Sequence, residues 1–143
     1  MSSAYNKFNA FVADVCNKVH DLATDSCKIM LTNTAPVATN AVKADITDIA
    51  AGNGYTAGGA AAGSPSSTQT SGTETFSANN VTFTASGGTI GPFRYAVIYN
   101  STAASGNLIA WWDYASNLTL NAGDTFTVQF NGGASSGTIF TLA

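Results

Sequence analysis

Few side chains in this chain could do chemistry, and their spacing limits what that chemistry would be. The single histidine, His20, follows Cys16 by four residues, a spacing that on a helix puts both on one face and would suit a thiol–imidazole pair. No oxyanion loop or orienting carboxylate accompanies them, and neighbouring helical turns bring core residues together in any case, so the pair reads as core. One His and two Cys without paired spacing do not make a tetrahedral zinc site. Asp45 and Asp48 in "DITD" offer two carboxylates but lack the loop spacing of an EF-hand, and read as turn or helix-terminal charges. "GNGYTAGG" (52–59) is glycine-rich but has no Lys and no following Ser/Thr on a helix, as a phosphate loop requires. The sequence therefore predicts no catalytic residue, no metal site, no cofactor and no enzyme.

One charged residue stands apart. Arg94, the only arginine, lies inside the apolar run "GGTIGPFRYAVIYN" (87–100). If strands 93–100 and 107–114 form a hairpin around "STAASG", with Asn100 opposite Asn107, Arg94 falls directly across from Asp113, within reach of an ion pair. The same register sets Ala96 against Trp111 and Ile98 against Ile109, with Phe93, Tyr95, Val97 and Tyr99 against Tyr114, Trp112, Ala110 and Leu108 on the other face. The pair is expected as a cross-strand structural bridge, with a contact shared between subunits or a small-ligand site as the alternatives. Trp111, Trp112 and Tyr114 are candidate interface aromatics. Alternation sends Trp111 and Trp112 to opposite faces, so they do not form one sugar-stacking platform.

The elements that would position these residues follow from hydrophobic period. Phe8, Phe11, Val12, Val15, Val19 and Leu22 recur at spacings of three and four, which predicts one amphipathic helix over about 6–22, with Cys16 on its buried face and His20 at the stripe's edge. "CKIMLT" (27–32) reads as a strand, and Val42, Ile46 and Ile49 as a short helix or loop. Residues 60–74 are small and low in complexity, a loop or a weakly specified edge strand. From there the period becomes two: Val81, Phe83 and Ala85 alternate with Thr82 and Thr84, and Phe126, Val128 and Phe130 with Thr125, Thr127 and Gln129. "FRYAVIYN" and "NLIAWWDY" are apolar on both faces, as central strands are, and "GTIFTLA" reads as a last strand. One helix followed by seven or eight short strands predicts a single, mainly β domain, an antiparallel β-sandwich or jelly-roll-like barrel spanning 1–143.

Composition narrows function further. Charged residues are 9% of the 143, against about 25% in an ordinary soluble domain, so hydroxyl and amide groups must supply the polar surface. Nineteen Thr and fourteen Gly fit that demand. A net charge of −3 without a basic cluster argues against nucleic acid, and no apolar stretch approaches the roughly 20 residues a bilayer requires. The N-terminal stretch lacks an apolar signal core, so residence in the cytosol where it is made is expected, with Cys16 and Cys27 as two buried thiols and the sequons at Asn80, Asn100 and Asn117 unused. So few surface charges favour association, because interface cores are depleted in charge.

Taken together, "LTNTAPVATN", "DIAAGNGYTAGG", "VTFTASGGTIGPFRYAVIYN" and "LIAWWDY…LTLNAGDTFTVQF" resemble a group of small structural proteins of tailed bacteriophages and prophages. The resemblance spans nearly the whole chain and departs in "AAAGSPSSTQTSGTETFSANN", which is richer in Ser and Gly. It implies a non-enzymatic virion component, a capsid cement or decoration protein whose partners would be the major capsid protein and its own copies, as a homodimer or homotrimer, located on the head surface. The alternatives are a tail, head-completion or fibre-associated subunit, or a carbohydrate-binding adhesion module.

Overall fold

A computed structural model describes residues 3–143, and the protein is mainly β with antiparallel sheets and one α-helix. The strands are β1 (Asn6–Lys7), β2 (Cys27–Thr32), β3 (Ala60–Ala62), β4 (Ser66–Thr70), β5 (Thr73–Asn79), β6 (Val81–Thr84), β7 (Ile90–Asn100), β8 (Leu108–Leu120), β9 (Thr125–Val128) and β10 (Ser136–Leu142). They form a five-stranded sheet in the order β1-β8-β7-β2-β3, a three-stranded sheet β10-β5-β4 and a ribbon β6-β9. No helix among the described residues is long and apolar enough to cross a membrane.

The main core joins all three sheets. Ile29, Leu31, Ala96, Ile98 and Ile109 of the large sheet meet Phe76 and Ile139 of the three-stranded sheet and Val81, Phe83 and Val128 of the ribbon. On the opposite face of the large sheet a second cluster gathers Phe8, Met30, Ile46, Val97, Tyr99 and Leu108, with Trp111 against it. Strands β7 and β8 read as apolar on both faces because, at their centre, both faces are covered. The alternating runs behave as their period requires: Val81, Phe83 and Ala85 are buried while Thr82 and Thr84 face solvent.

The N-terminal helix is much shorter than its apolar spacing predicts. Helix α1 covers Asn9–Cys16 only. Phe8 precedes it in extended backbone (φ −75°, ψ 145°) and belongs to the second cluster, whereas Phe11 enters the main core. The chain thus wraps the edge of the large sheet, pairing β1 with β8 and planting one Phe on each side. Each buried ring contributes roughly 2–3 kcal/mol, which an eight-residue helix needs because so short a helix is unstable alone. Lys18 adopts left-handed backbone (φ 61°) and ends the helix, with Val19 N–H donating to Asp14 C=O and Lys18 N–H to Val15 C=O, the Schellman pattern. In consequence Val12 is half exposed, and Cys16 is exposed rather than buried; only Cys27 is a buried thiol.

Two open readings resolve. Val42, Ile46 and Ile49 mark a single 3-10 turn, Lys43–Asp45, within otherwise irregular chain. Residues 60–74 take the edge-strand alternative: β3 lies at the edge of the large sheet, and β4, at the edge of the three-stranded sheet, pairs with β5 from Ser66↔Ser77 to Thr70↔Thr73. The link between them is the two-residue turn Ser71–Gly72 (φ 49° and 86°), whose positive φ values match a tight hairpin and lock that register.

The two thiols provide a direct check of the shortened helix. A water-soluble thiol reagent should modify Cys16 in the native protein and reach Cys27 only in denaturant, whose thiol burial pushes up to about 12. Equal native reactivity, or none at Cys16, would contradict this end of the helix.

Candidate functional site

Arg94 and Asp113 meet, though not as directly opposed residues. At the hairpin's end Asn100 N–H donates to Asn107 C=O and Tyr99 pairs with Leu108, as the sequence register requires. A bulge between Ile98 and Tyr99 then inserts one extra residue on β8, so that Ile98 pairs with Ala110, Val97 with Trp111, Ala96 with Trp112 and Tyr95 with Asp113. This corrects the expected pairings of Ala96 with Trp111, Ile98 with Ile109 and Arg94 with Asp113. Below Tyr95 the strands separate around 114–117, where Ala115 has φ 73°, and rejoin at Phe93↔Leu118.

The long arginine side chain spans the one-residue offset. Its Nε donates to Asp113 Oδ1 at 2.8 Å and Nη2 to Oδ2 at 2.9 Å, a bidentate pair, and its guanidinium lies 5.4 Å from the centre of the Tyr95 ring. Asp113 Oδ1 also accepts the Ala115 N–H at 2.7 Å, and its backbone C=O accepts the Ser3 hydroxyl. Hydrogen bonding to Arg94, then to Ala115, holds the Asp113 carboxyl below its ordinary 3.8, and the same bond raises Arg94. The pair forms within the single chain, about a third exposed, and fixes the mouth of the β8 excursion.

Beside it opens a cleft of about 960 Å³, walled by Trp112, Tyr114, Phe126, Phe130 and Phe140 with Arg94 at its margin. Trp112 stacks edge-on against Tyr5, and Tyr114 against Phe126. Trp111 lies on the other face of the sheet, 4.5 Å from Phe8. The three candidate aromatics therefore divide: Trp111 is a packing residue of the second cluster, while Trp112 and Tyr114 line the cleft, with Tyr114 41% exposed.

His20 and Cys16 do not form a pair, because the helix ends between them. His20 instead turns inward, its ring 5.3 Å from Phe11. Its Nδ1 meets the Asn100 amide at 3.1 Å, while Nε2 has no hydrogen-bond partner and stands 3.9 Å from Asp14 Oδ2. Asn100, fully buried, is the hub that sequence reasoning missed: its amide also reaches Asp25, and its carbonyl accepts the N–H groups of Thr102 and Ala103. Its signal in the sequence is a lone amide ending a run buried on both faces. That burial removes it as a glycosylation site in the folded chain.

The acidic and glycine-rich motif is likewise architectural. Asp45 accepts the N–H groups of Ala41 and Val42. Asp48 accepts the Tyr55 hydroxyl and the Gly58 N–H, Tyr55 Oη in turn accepts Leu31 N–H, and Tyr99 donates to Gly58 C=O. A Cβ at Gly59 (φ 80°) would lie 1.8 Å from Ile29 C=O, so "GNGYTAGG" needs glycine to run against β2 rather than to cradle a phosphate. Among the described residues no three His, Cys, Asp or Glu side chains are placed to hold a metal ion.

Two measurements test these assignments. Arg94→Ala and Asp113→Ala should each lower Tm by about 2 °C, with the double variant losing less than the sum of the two; simple additivity would show that the bidentate bond carries no coupling. Burial holds His20 below its ordinary 6.5, against the opposing pull of Asp14 and Asp25, so the unfolded chain binds the more protons near that pH. The stability His20 contributes is full above 6.5 and is lost as pH falls toward the depressed value. Denaturant midpoints should therefore drop on mild acidification, and His20→Gln should flatten that slope; an unchanged slope would contradict a buried neutral imidazole.

Neither models of protein families nor curated proteins nor solved structures yield a match to this chain.

Proposed function

We propose that the protein is a non-enzymatic structural component of a tailed-phage virion, a cement or decoration protein that binds the assembled head and stabilises it. The observation that carries this reading is the resemblance of its segments to small virion proteins. Those segments are the ones the fold packs together: "LTNTAPVATN" continues from β2, "DIAAGNGYTAGG" clamps onto it through Asp48 and Tyr55, and "GPFRYAVIYN" is β7 between β2 and β8. A shared architecture, rather than a shared catalytic constellation, is what such a resemblance would preserve. The surface suits the role as well, since the exposed strand faces present Thr, Ser and Gln with little charge to desolvate on docking.

The partner in this reading is the major capsid protein. Each subunit would contribute a small interface, and symmetric repetition over neighbouring capsomers would raise the whole assembly's avidity far above that of one contact. Stabilisation then follows by mass action, because the bound protein favours the intact shell over its dissociated parts.

Purified protein added to undecorated heads should bind saturably and raise the temperature at which the heads release DNA or fall apart. Absence from heads with incorporation into tails would move the assignment to a tail subunit, and specific binding on a glycan array with no virion association would move it to an adhesion module lined by Trp112 and Tyr114.

A further inference from the structure

A groove of about 970 Å³ runs between α1, with residues 18–23 that follow it, and the C-terminal end of β10, a volume in the range of small-molecule sites. Its apolar lining is Phe11, Val12, Val15, Leu22, Phe140 and Leu142. Val12 and Leu142, 50% and 58% exposed, are two of the four large apolar side chains left in solvent among the described residues. Phe11 and Phe140 meet edge to face at 5.3 Å and the Tyr5 ring lies 6.2 Å from Phe140, so a row of rings runs along the groove.

Its polar groups are few, and they differ between the two ends. Tyr5 Oη is buried and has no hydrogen-bond partner among the described residues. Burial pushes that hydroxyl up to about 12, so at neutral pH it is protonated and able to donate. Lys7 follows two residues later in extended chain, where alternation sends it to the side of Tyr5 while Phe8 goes to the second cluster, and it borders the same groove. Tyr5 also borders the cleft beside Arg94, but Lys7 does not, and Arg94 is already paired with Asp113. At the other end Lys18 is opposed by Asp21 in the same wall. There Asn100 Oδ1 is occupied by the Thr102 and Ala103 N–H groups, so its amide nitrogen faces His20 Nδ1, and the neutral ring carries its proton on Nε2, 3.9 Å from Asp14 Oδ2. That end already has its carboxylates. Glu74, which also borders the groove, accepts the Ser67 hydroxyl.

We propose that this groove binds a single-chain carboxylate, the class of a medium-chain fatty acid. The head accepts a hydrogen bond from the Tyr5 hydroxyl and pairs with the Lys7 ammonium, and the alkyl chain lies over Phe140 and Phe11 toward Val12, Val15 and Leu22. A carboxylate only accepts hydrogen bonds, which matches an end of the groove whose unpaired group is a donor and whose charge is positive. A cationic head would set like charge against Lys7, and a polyhydroxyl molecule would lay its hydroxyls against the apolar row. The site does not depend on the chain binding a phage head.

Decanoate is the probe. Titration calorimetry should show saturable binding with a Kd of about 100 µM, about fourfold tighter for each methylene added from octanoate upward. The bound chain should also slow modification of Cys16, which borders the groove, by a water-soluble thiol reagent. Tyr5→Phe should weaken decanoate about tenfold without lowering Tm, because the hydroxyl it removes bonds nothing in the free protein. Lys7→Gln, at an exposed position, should weaken it about threefold with the fold untouched, and this readout stands if the Tyr5 variant misfolds. Decyltrimethylammonium, which has the same tail and a cationic head, should bind at least about tenfold more weakly. No binding of decanoate at about 2 mM, equal binding of the two amphiphiles, or an affinity that neither Y5F nor K7Q moves overturns the proposal.

Discussion

The segment Ala96–Asn100 is buried on both faces and lies between two strands, β2 and β8, so none of it is left for water to solvate. Backbone polar groups in such a place must be paired, and sheet hydrogen bonds on both edges do so. The side chains then require two separate coverings. Ala96 and Ile98 are covered by the three-stranded sheet and the ribbon, and Val97 and Tyr99 by Phe8, Ile46 and Trp111. Much of the remaining architecture follows from that double demand, including the wrapping of the N-terminal segment around the sheet edge.

The scarce charges serve the same end. Asp25 accepts the Asp21 N–H, Asp45 those of Ala41 and Val42, Asp48 that of Gly58, Asp113 that of Ala115 and Asp124 that of Asn121. Five of the eight acidic residues thus hold turns by accepting backbone hydrogen bonds. A carboxylate bound in this way is a structural clamp, and the exposed strand faces are left to hydroxyl and amide groups. Such a surface has little electrostatic selectivity and little charge to desolvate.

Where the sequence could be read, the reason was a period that one buried face imposes. β6 and β9 alternate because one side of each is wet, and β7 with β8 fail to alternate because neither side is. The helix misled because Phe8 and Phe11 share its spacing but go to opposite sides of the sheet, a division that spacing alone does not record. Cys16 misled for a related cause, since the helix ends at it and left-handed backbone at Lys18 turns the chain away, whereas His20 is buried as its core reading required. The cleft beside Arg94 had no local signature, because β7, β8, β9 and β10 each supply part of its wall.

By itself the sequence determined that the chain is mainly β, that its central hairpin is buried on both faces, and that its lone arginine has an acidic partner in reach. These follow from composition and from periodicities that local backbone geometry enforces. Only the tertiary structure decided how that partner is reached, across a bulge at Ile98–Tyr99 that shifts Trp111 and Trp112 to the faces opposite those first assigned. It likewise decided that Asn100 is a buried hub and which strands the edges within 60–74 pair with. A one-residue slip exchanges the faces of a strand, and whether an edge is paired depends on strands distant in sequence, so both lie beyond any local pattern.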